Sequence, residues 1–391
     1  MSANSEGFDA WIRSSFVEMN TALEDIYFAQ SDRSKIDDVG DGLKTQLLED
    51  GRNFIVKLVE EGNTDEGFDN AHALLGNLGF YMAALRRHEM TNPASEDTSP
   101  LKEASALGLH LGASLGVTPR FATSHLASHN YAKNGVIKSF TSLHDEFLFL
   151  KYNTLSMFAF KRAADALKRI VPMGISNPVS LTLFENAVDA LNDVLKVNKI
   201  LFAELDVDRF FWNVRGYYKP YRVGRQEYRG ANAGDFAGIN ELDLLLGLCR
   251  GNDPYYAQML VDKMLFLLPE DQVSLRDCLH QRPLLDEFLL ASDASKNEPW
   301  FKEHAAAFLK VCKLHGAIAA QHHNSLVDSF ITRPSTDLDK KNLAQITASG
   351  PPLPVLLKSL EILRDMRLAA DRNDIRTSYT QINQRKKAIG E

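Results

Sequence analysis

The stretch SLHDEFLFLKYNTLSMFAFKRAADALKRIV, residues 142–171, decides the fold class of this chain. Its apolar residues recur at intervals of three and four, and few of them alternate with period two. A repeat with this period places apolar side chains on one face of an α-helix. The stretch therefore predicts a long amphipathic helix that packs against other helices.

The same period recurs on both sides of this stretch, so we expect an all-α protein. The further predicted helices are 179–205, 239–249, 299–330 and 353–370. A glycine-containing break near GASLGVTP, residues 112–119, suggests a boundary. We expect a small N-terminal helical region, residues 1–115, and a large helical domain, residues 116–391.

Composition limits the function classes that fit the chain. The 391 residues carry a net charge of −7, and an acidic balance disfavours nucleic-acid binding. The three cysteines, Cys249, Cys278 and Cys312, are far apart, which disfavours a disulfide framework or a tetrahedral zinc site. The first residues, MSANSEGFDAWIRSS, lack a basic segment followed by a continuous apolar stretch, and nowhere in the sequence do eighteen apolar residues follow one another. We expect a cytoplasmic protein with no membrane or nucleic-acid partner.

A stripe on the predicted helix 299–330 carries a histidine. Its members, spaced by four, three, four and three residues, are Phe308, Cys312, His315, Ala319 and His322. His315 should therefore point to the core, with small residues such as Gly316 and Ala319 flattening the helix surface beside it. This shape suits a haem macrocycle whose iron binds a helix-borne nitrogen. A buried histidine that only forms hydrogen bonds fits the same pattern, and both interpretations stay open here.

A second pair of histidines lies in TPRFATSHLASHNY, residues 118–131. His125 and His129 are four apart, which places both on one face of the helix predicted for this segment. Such a face suits either a metal or the polar edge of a ligand cavity. No third ligand with suitable spacing follows, and the glutamate of the HExxH motif is missing. A structural metal is therefore not expected.

The stretch FFWNVRGYYKPYRVGRQEYRGANAGDFAG, residues 210–238, has no helical period. Long irregular segments in compact domains tend to be functional. Its arginines, Arg215, Arg222, Arg225 and Arg229, suit bidentate binding of carboxylates. Its glycines let backbone N–H groups approach a ligand closely. An ordinary solvated loop is the alternative interpretation.

Five segments together resemble the histidine-ligated haem-dependent aromatic oxygenases, the superfamily of tryptophan and indoleamine 2,3-dioxygenases. The closest resemblance is to its monodechloroaminopyrrolnitrin synthase branch. The five occur in the family's order: residues 118–131, LHDE at 143–146 with the helix through Ser156, RGYYKPYRVGRQEYRGANAG at 215–234, the segment around His315, and SGPP at 349–352.

The resemblance implies an indoleamine 2,3-dioxygenase-like helical bundle that holds haem b between helices and uses O₂ as co-substrate. It implies His315 as the iron ligand through Nε2, with its Nδ1–H held by an unidentified acceptor. The residues that it places around the cofactor are Cys312, Arg222, Gly316, Ala319 and His129.

The resemblance also implies a substrate site. Tyr152 and Ser156 would lie in the distal pocket, with His125 along its other side, and these three are the expected catalytic residues. Arg215 would bind the carboxylate of an aromatic amino acid, with Tyr152 nearby. The segments expected to cover the substrate are Gly230, Ala231, Asn232, Ala233 and Gly234, and the turn at Ser349 and Gly350.

Two departures from the family pattern bear on this assignment. An arginine normally precedes the proximal histidine by three residues and pairs with a haem propionate, but here that position is Cys312. Lys313, Arg222 or Arg225 could replace it. No histidine matches the distal base of the tryptophan dioxygenases.

The function that we expect is addition of O₂ across the C2–C3 bond of tryptophan or another indole. The alternatives are haem-dependent ring rearrangement or monooxygenation of an aromatic amino acid, and a non-enzymatic haem-binding helical module. A homo-oligomer is compatible with the sequence.

Overall fold

The fold is described from a computed structural model that covers residues 2–62, 67–231, 234–325 and 353–390. Helices dominate these residues, and the strands among them form one antiparallel hairpin. The predicted all-α class is therefore confirmed. Among the described residues, no helix combines the length and the apolar character needed to cross a membrane.

The chain divides into two compact units. Of the described residues, those within Met1–Lys151 and Glu204–Asp235 belong to the first unit. Those within Tyr152–Ala203, Phe236–Thr332 and Pro354–Glu391 belong to the second. The first unit thus continues beyond residue 115, and the expected separation of 1–115 from 116–391 as folding regions stays a prediction.

The first unit is built around an aromatic core. Phe80 contacts Phe121 and Phe140, each at 4.7 Å between ring centroids, and Phe140 stacks on Tyr217 at 4.3 Å. Its helices are α1 (Ala3–Ile12), α2 (Ser15–Phe28), α3 (Asp41–Glu61), α4 (Phe68–Arg87), α5 (Lys102–Leu115), α6 (Thr123–Leu126), the start of α7 (His144–Met173) and α9 (Val207–Arg209).

The segment 210–238 is more regular than its sequence suggests. A π-helical turn (Phe210–Val214) and a 3-10 turn (Arg215–Tyr218) precede the hairpin of β1 (Tyr221–Val223) and β2 (Gln226–Tyr228). The expectation of a wholly irregular loop is therefore wrong. Each strand has only three residues, which is too short for a period-two pattern to be seen.

The second unit packs around Phe184, Phe288 and Phe308, the last two 4.9 Å apart between ring centroids. Its helices are the rest of α7, α8 (Pro178–Glu204), α10 (Ala237–Leu246), α11 (Pro254–Met264), α12 (Pro269–His280), α13 (Leu284–Ser295), α14 (Pro299–Gln321), α15 (Leu353–Arg367) and α16 (Tyr379–Ile389).

Local sequence sets the ends of these helices. Helices α11, α12 and α14 each start with proline, which fits the first turn because its missing N–H has no partner there anyway. Gly247, with φ of +74°, ends α10 directly after Leu246. The helices predicted from 142–171, 179–205 and 239–249 correspond to α7, α8 and α10.

Candidate functional site

His315 lies on the buried face of α14, as its stripe predicts. Its side chain is 2% exposed, and the ring of Phe160 on α7 meets it edge-on at 6.4 Å between centroids. Its Nε2 lies 2.7 Å from Oδ1 of Asp243 on α10. Its Nδ1 is buried and has no hydrogen-bond partner among the described residues.

Asp243 is the centre of a buried polar network. Arg367, the last residue of α15, donates to it from Nε at 2.9 Å and from Nη2 at 2.8 Å, and the Tyr256 hydroxyl donates at 2.8 Å. Burial alone would raise the pKa of the Asp243 carboxyl, but the charge of Arg367 and the hydrogen bonds from His315 and Arg367 hold that pKa well below its ordinary value. Asp243 is therefore a carboxylate that only accepts hydrogen bonds.

The charge state of Asp243 determines which nitrogen of His315 bears the proton. Because the carboxylate only accepts, Nε2 is the donor, and a neutral imidazole then carries its lone pair on Nδ1. This is the reverse of the expectation from the sequence, in which Nε2 binds iron and Nδ1–H donates to an acceptor. The described ring orientation opposes that assignment of atoms, although it supplies the carboxylate acceptor that the sequence left unidentified.

Three residues near His315 on α14 were expected to contact a cofactor. Cys312 and Gly316 line a cavity of about 650 Å³ in the second unit, whereas His315 is not among its lining residues. A Cβ on Gly316 would lie 2.9 Å from the carbonyl oxygen of Arg367, so its small size serves the packing of α14 on the end of α15. Ala319 is half-buried.

Tyr152 and Ser156 lie four residues apart on α7, as expected. Both side chains are buried. The Ser156 hydroxyl donates to Oδ1 of Asn198 at 3.1 Å. This hydrogen bond fixes the hydroxyl on the face that the resemblance assigns to the distal pocket.

The segment 118–131 is not one helix, which corrects the sequence expectation. Helix α6 is a single turn, and the backbone N–H of His129 returns to the carbonyl oxygen of Ser124. His125 and His129 nevertheless meet at a third histidine, His72 of α4, at 4.0 and 5.0 Å between ring centroids. The sequence pattern missed His72 because it lies far from the pair along the chain.

These imidazoles form a packed cluster in the first unit. The rings of His72 and His125 are nearly parallel, at 25°, and Gly76 leaves room for His125, since a Cβ there would lie 2.8 Å from its ring. Burial, with a smaller effect of His129, lowers the pKa of His72 to about 3. Burial also lowers the pKa of His125 well below its ordinary value. The described residues contain no group of three or more His, Cys, Asp or Glu side chains suited to a metal ion.

Arg215 is a buried cation without a counter-ion among the described residues. It sits on the 3-10 turn, is 7% exposed, and its one described contact is with the ring of Phe211 at 5.5 Å. Burial alone lowers its pKa to about 10. It lines a cavity of about 360 Å³ in the first unit, together with Phe211, Trp212 and Lys219. Lys219 is already paired with Glu89 at 2.9 Å, which leaves Arg215 available for an anion.

Two other arginines of the segment have structural partners. Arg222 donates to the carbonyl oxygens of Arg225 and Pro93, so backbone contacts already use two of its nitrogens. Arg229 pairs with Asp235 at 2.6 Å, and Asp235 also pairs with Arg120 at 3.0 Å. These ion pairs hold Arg229 and Asp235, the two residues that flank the glycine-rich loop, residues 230–234.

The glycine-rich loop comes very close to the backbone that precedes it. A Cβ on Gly230 would lie 1.6 Å from the carbonyl oxygen of Tyr218, which only glycine avoids. Ala231 is buried. Asn232 and Ala233 lie outside the described residues, as do Ser349 and Gly350.

Three side chains of the His315 network, Asp243, Tyr256 and Arg367, were not singled out from the sequence. Asp243 is an acidic residue within the apolar run of INELDLLLGLC, residues 239–249, which is a detectable signal for a buried carboxylate. Arg367 ends a charged helix, and nothing in its local pattern marks it.

The described residues thus form a helical protein with a buried histidine whose Nε2 is held by a carboxylate, an arrangement that also occurs at histidines that bind metals. The chain matches the family model of monodechloroaminopyrrolnitrin synthase PrnB over residues 2–389. Because this match spans nearly the whole chain, the protein belongs to the monodechloroaminopyrrolnitrin synthase PrnB family.

The family match confirms the resemblance found from the five motifs. The family consists of haem-dependent oxygenases that modify tryptophan, and the chain is therefore an enzyme of this kind. The alternative of a non-enzymatic haem-binding module is set aside on this ground.

Proposed function

We propose that this enzyme uses haem b and O₂ to add both oxygen atoms across the C2–C3 bond of tryptophan or another indole. The observation that carries the proposal is the buried pair of His315 and Asp243. Histidines that bind metals commonly give their second N–H to a carboxylate, which orients the ring and raises its basicity. The family match independently supports haem and a tryptophan-like substrate.

The two ring nitrogens of His315 have the environments that an iron-binding histidine needs. One imidazole nitrogen is buried without a hydrogen-bond partner among the described residues, and the other is fixed by Asp243. We assign His315 as the iron ligand and Asp243, with Arg367, as its orienting group. When bound, haem supplies the iron at which O₂ is activated.

Arg215 is assigned to the substrate carboxylate. An unpaired buried guanidinium is costly, and a bidentate carboxylate offsets that cost. Phe211 and Trp212 line the same cavity and offer an aromatic wall for an indole ring. We assign Gly230–Gly234 and the turn at Ser349 and Gly350 to closing the site against water.

Polar residues of α7 and of the histidine cluster complete the proposal. Tyr152 and Ser156 are assigned to the distal side of the site, where the Ser156 hydroxyl can orient a polar group. Nδ1 of His125 accepts a hydrogen bond from the backbone N–H of Ala122, so in the neutral ring the proton is on Nε2. This Nε2–H is buried without a hydrogen-bond partner among the described residues and can donate to a ligand. His129, as a neighbour of His72, is assigned to the same cluster.

A second candidate reaction is ring rearrangement of a tryptophan derivative. The description of the matching family, a monodechloroaminopyrrolnitrin synthase, favours it. Incubation of the haem-loaded enzyme with L-tryptophan and 7-chloro-L-tryptophan under ¹⁸O₂, followed by mass spectrometry, separates the two reactions. Two labelled atoms from one O₂ in the product support dioxygenation. A product with one labelled atom or none supports the alternative.

The role of Asp243 can be tested without any substrate. Asp243→Asn removes the negative charge that faces both His315 and Arg367, and such a change typically costs about 10–100-fold in metal affinity. Haem titration monitored by absorption should show weaker binding of this order. Unchanged haem affinity would mean that Asp243 does not orient the iron ligand.

We also propose a cytoplasmic location. All three cysteines, Cys249, Cys278 and Cys312, are free and buried. Free thiols are usual in a reducing compartment, which supports this location.

A further inference from the structure

The cavity of about 650 Å³ in the second unit has been given no ligand above, although Arg367 of its lining also holds Asp243. It lies between α14, the end of α15 and α16, and it has the size of a typical small-molecule pocket. Leu248, Leu309 and Ile382 contribute buried apolar side chains to its wall, and Leu368, which is 42% exposed, stands at the same cavity. The wall therefore suits the apolar body of a ligand.

All charged residues that line this cavity are basic. Lys310 and Lys313 come from α14 and Lys386 from α16, and each is exposed. Within the part of the chain that is described, none of the three forms a salt bridge and no acidic side chain lines the cavity. Three unpaired ammonium groups around an apolar wall create a local positive potential that attracts an anion.

A fourth cation lines the cavity from the side of the His315 network. Arg367 uses Nε and Nη2 to hold Asp243, whereas its Nη1 makes no hydrogen bond with a described residue. A guanidinium fixed in this way has little freedom left to lose when it binds a carboxylate through Nη1.

We propose that this cavity binds an organic carboxylate with an apolar body, either a fatty acid or an aryl-alkanoic acid. The apolar body lies against Leu309, Leu368 and Ile382, and the carboxylate meets the lysines and Arg367. This site is separate from the substrate carboxylate site assigned to Arg215. Binding needs neither haem nor a functioning active site, so the inference stands or fails independently of the proposed function.

Isothermal titration calorimetry on the full-length protein tests this site. The probes are octanoate, indole-3-butyrate and the neutral octanamide. The test variant is the double substitution Lys313→Gln with Lys386→Gln, and the matched control is Lys302→Gln with Lys387→Gln. The control removes the same charge from exposed positions of the same two helices, outside the cavity lining.

We expect at least one carboxylate to bind wild type more tightly than octanamide does. The test variant should weaken that binding by about tenfold, because it removes two of the exposed cations that attract the carboxylate. The affinity of the control variant for the same carboxylate should lie within about twofold of the wild-type affinity. Binding of octanoate alone identifies the fatty acid as ligand, and binding of indole-3-butyrate alone identifies the aromatic acid.

Three results would overturn the site. These are no binding of either carboxylate at millimolar concentration, equal affinity for octanamide, or equal weakening in the test and control variants. Circular dichroism melts of both variants confirm that they fold, which is expected because the substituted lysines are exposed.

Discussion

Arg215 is the residue whose environment most directly implies a ligand. The fold buries its guanidinium and pairs it with no carboxylate among the described residues, although Asp37 and Glu89 line the same cavity, and this is a costly arrangement unless an anion binds. Arg215→Ala should weaken L-tryptophan binding by about 2–5 kcal/mol and leave haem content unchanged. Ligand titrations with L-tryptophan and with tryptamine, which lacks the carboxylate, measure the effect.

Two comparisons make this prediction specific. Arg215→Lys keeps the charge but loses the bidentate geometry. Its affinity for L-tryptophan should therefore lie between that of wild type and that of the alanine variant. Tryptamine binding should hardly change in either variant. An equal loss for tryptamine and L-tryptophan would show that Arg215 acts on the fold rather than on the carboxylate.

Glu146 is a second residue whose burial has a measurable consequence. It is fully buried at the start of α7 and accepts hydrogen bonds from the backbone N–H of Phe140 and from Thr141. Burial raises the pKa of its carboxyl to about 7, although these hydrogen bonds act to lower it. The folded state therefore binds this proton more tightly than the unfolded chain, whose glutamate has a pKa of about 4.3.

The sign of the pH dependence follows from that difference. The contribution of Glu146 to stability is complete below the unfolded pKa and is lost as pH rises through about 7. Glu146→Gln should therefore reduce the decline of Tm between about pH 5 and 8 relative to wild type. Thermal unfolding across this range, with exposed Glu185→Gln as control, measures the slope. A slope equal to that of wild type would contradict the raised pKa.

At the scale of elements, the contact between α14 and the end of α15 depends on one glycine. A Cβ at Gly316 would lie 2.9 Å from the Arg367 carbonyl oxygen and 3.1 Å from the Cα of Leu368. Gly316→Ala should therefore destabilise the fold by about 1–3 kcal/mol, despite the better helix propensity of alanine. Thermal or urea unfolding measures the difference.

A helical glycine with more room provides the control. At Gly7 of α1 the nearest atom to a Cβ would be in the ring of Phe54 at 3.4 Å, an ordinary contact. Gly7→Ala should be neutral or stabilising by up to about 1 kcal/mol. If Gly316→Ala were equally harmless, the close packing of α14 on α15 would be wrong.

Sequence periodicity predicts these elements where the repeat is long. Helices α7, α8 and α14 were predicted from apolar stripes that extend over many turns. Residues 118–131 were wrongly expected to form a helix, because the spacing of His125 and His129 fits a helical turn but does not require one. The short hairpin at Tyr221–Tyr228 left no readable alternation.

At the scale of the whole molecule, the sites depend on contacts between side chains that are far apart in sequence. Local sequence patterns do not contain these contacts. His315 could be placed on a buried stripe, but its partner Asp243 is 72 positions away in sequence, and Arg367 is 124 positions from Asp243. The same limit applies to His72 against His125. Fold class and family were therefore readable from the sequence, whereas the partners of each functional side chain required the three-dimensional contacts.

The optical spectrum of haem-loaded His315→Ala tests the central claim most directly. Buried His304 of the same helix, whose Nδ1 lies 2.6 Å from the carbonyl oxygen of Ile175, provides the control variant His304→Ala. We expect His315→Ala to lose or strongly shift the Soret band and His304→Ala to keep it. Full haem content with an unchanged Soret band in His315→Ala would contradict the account.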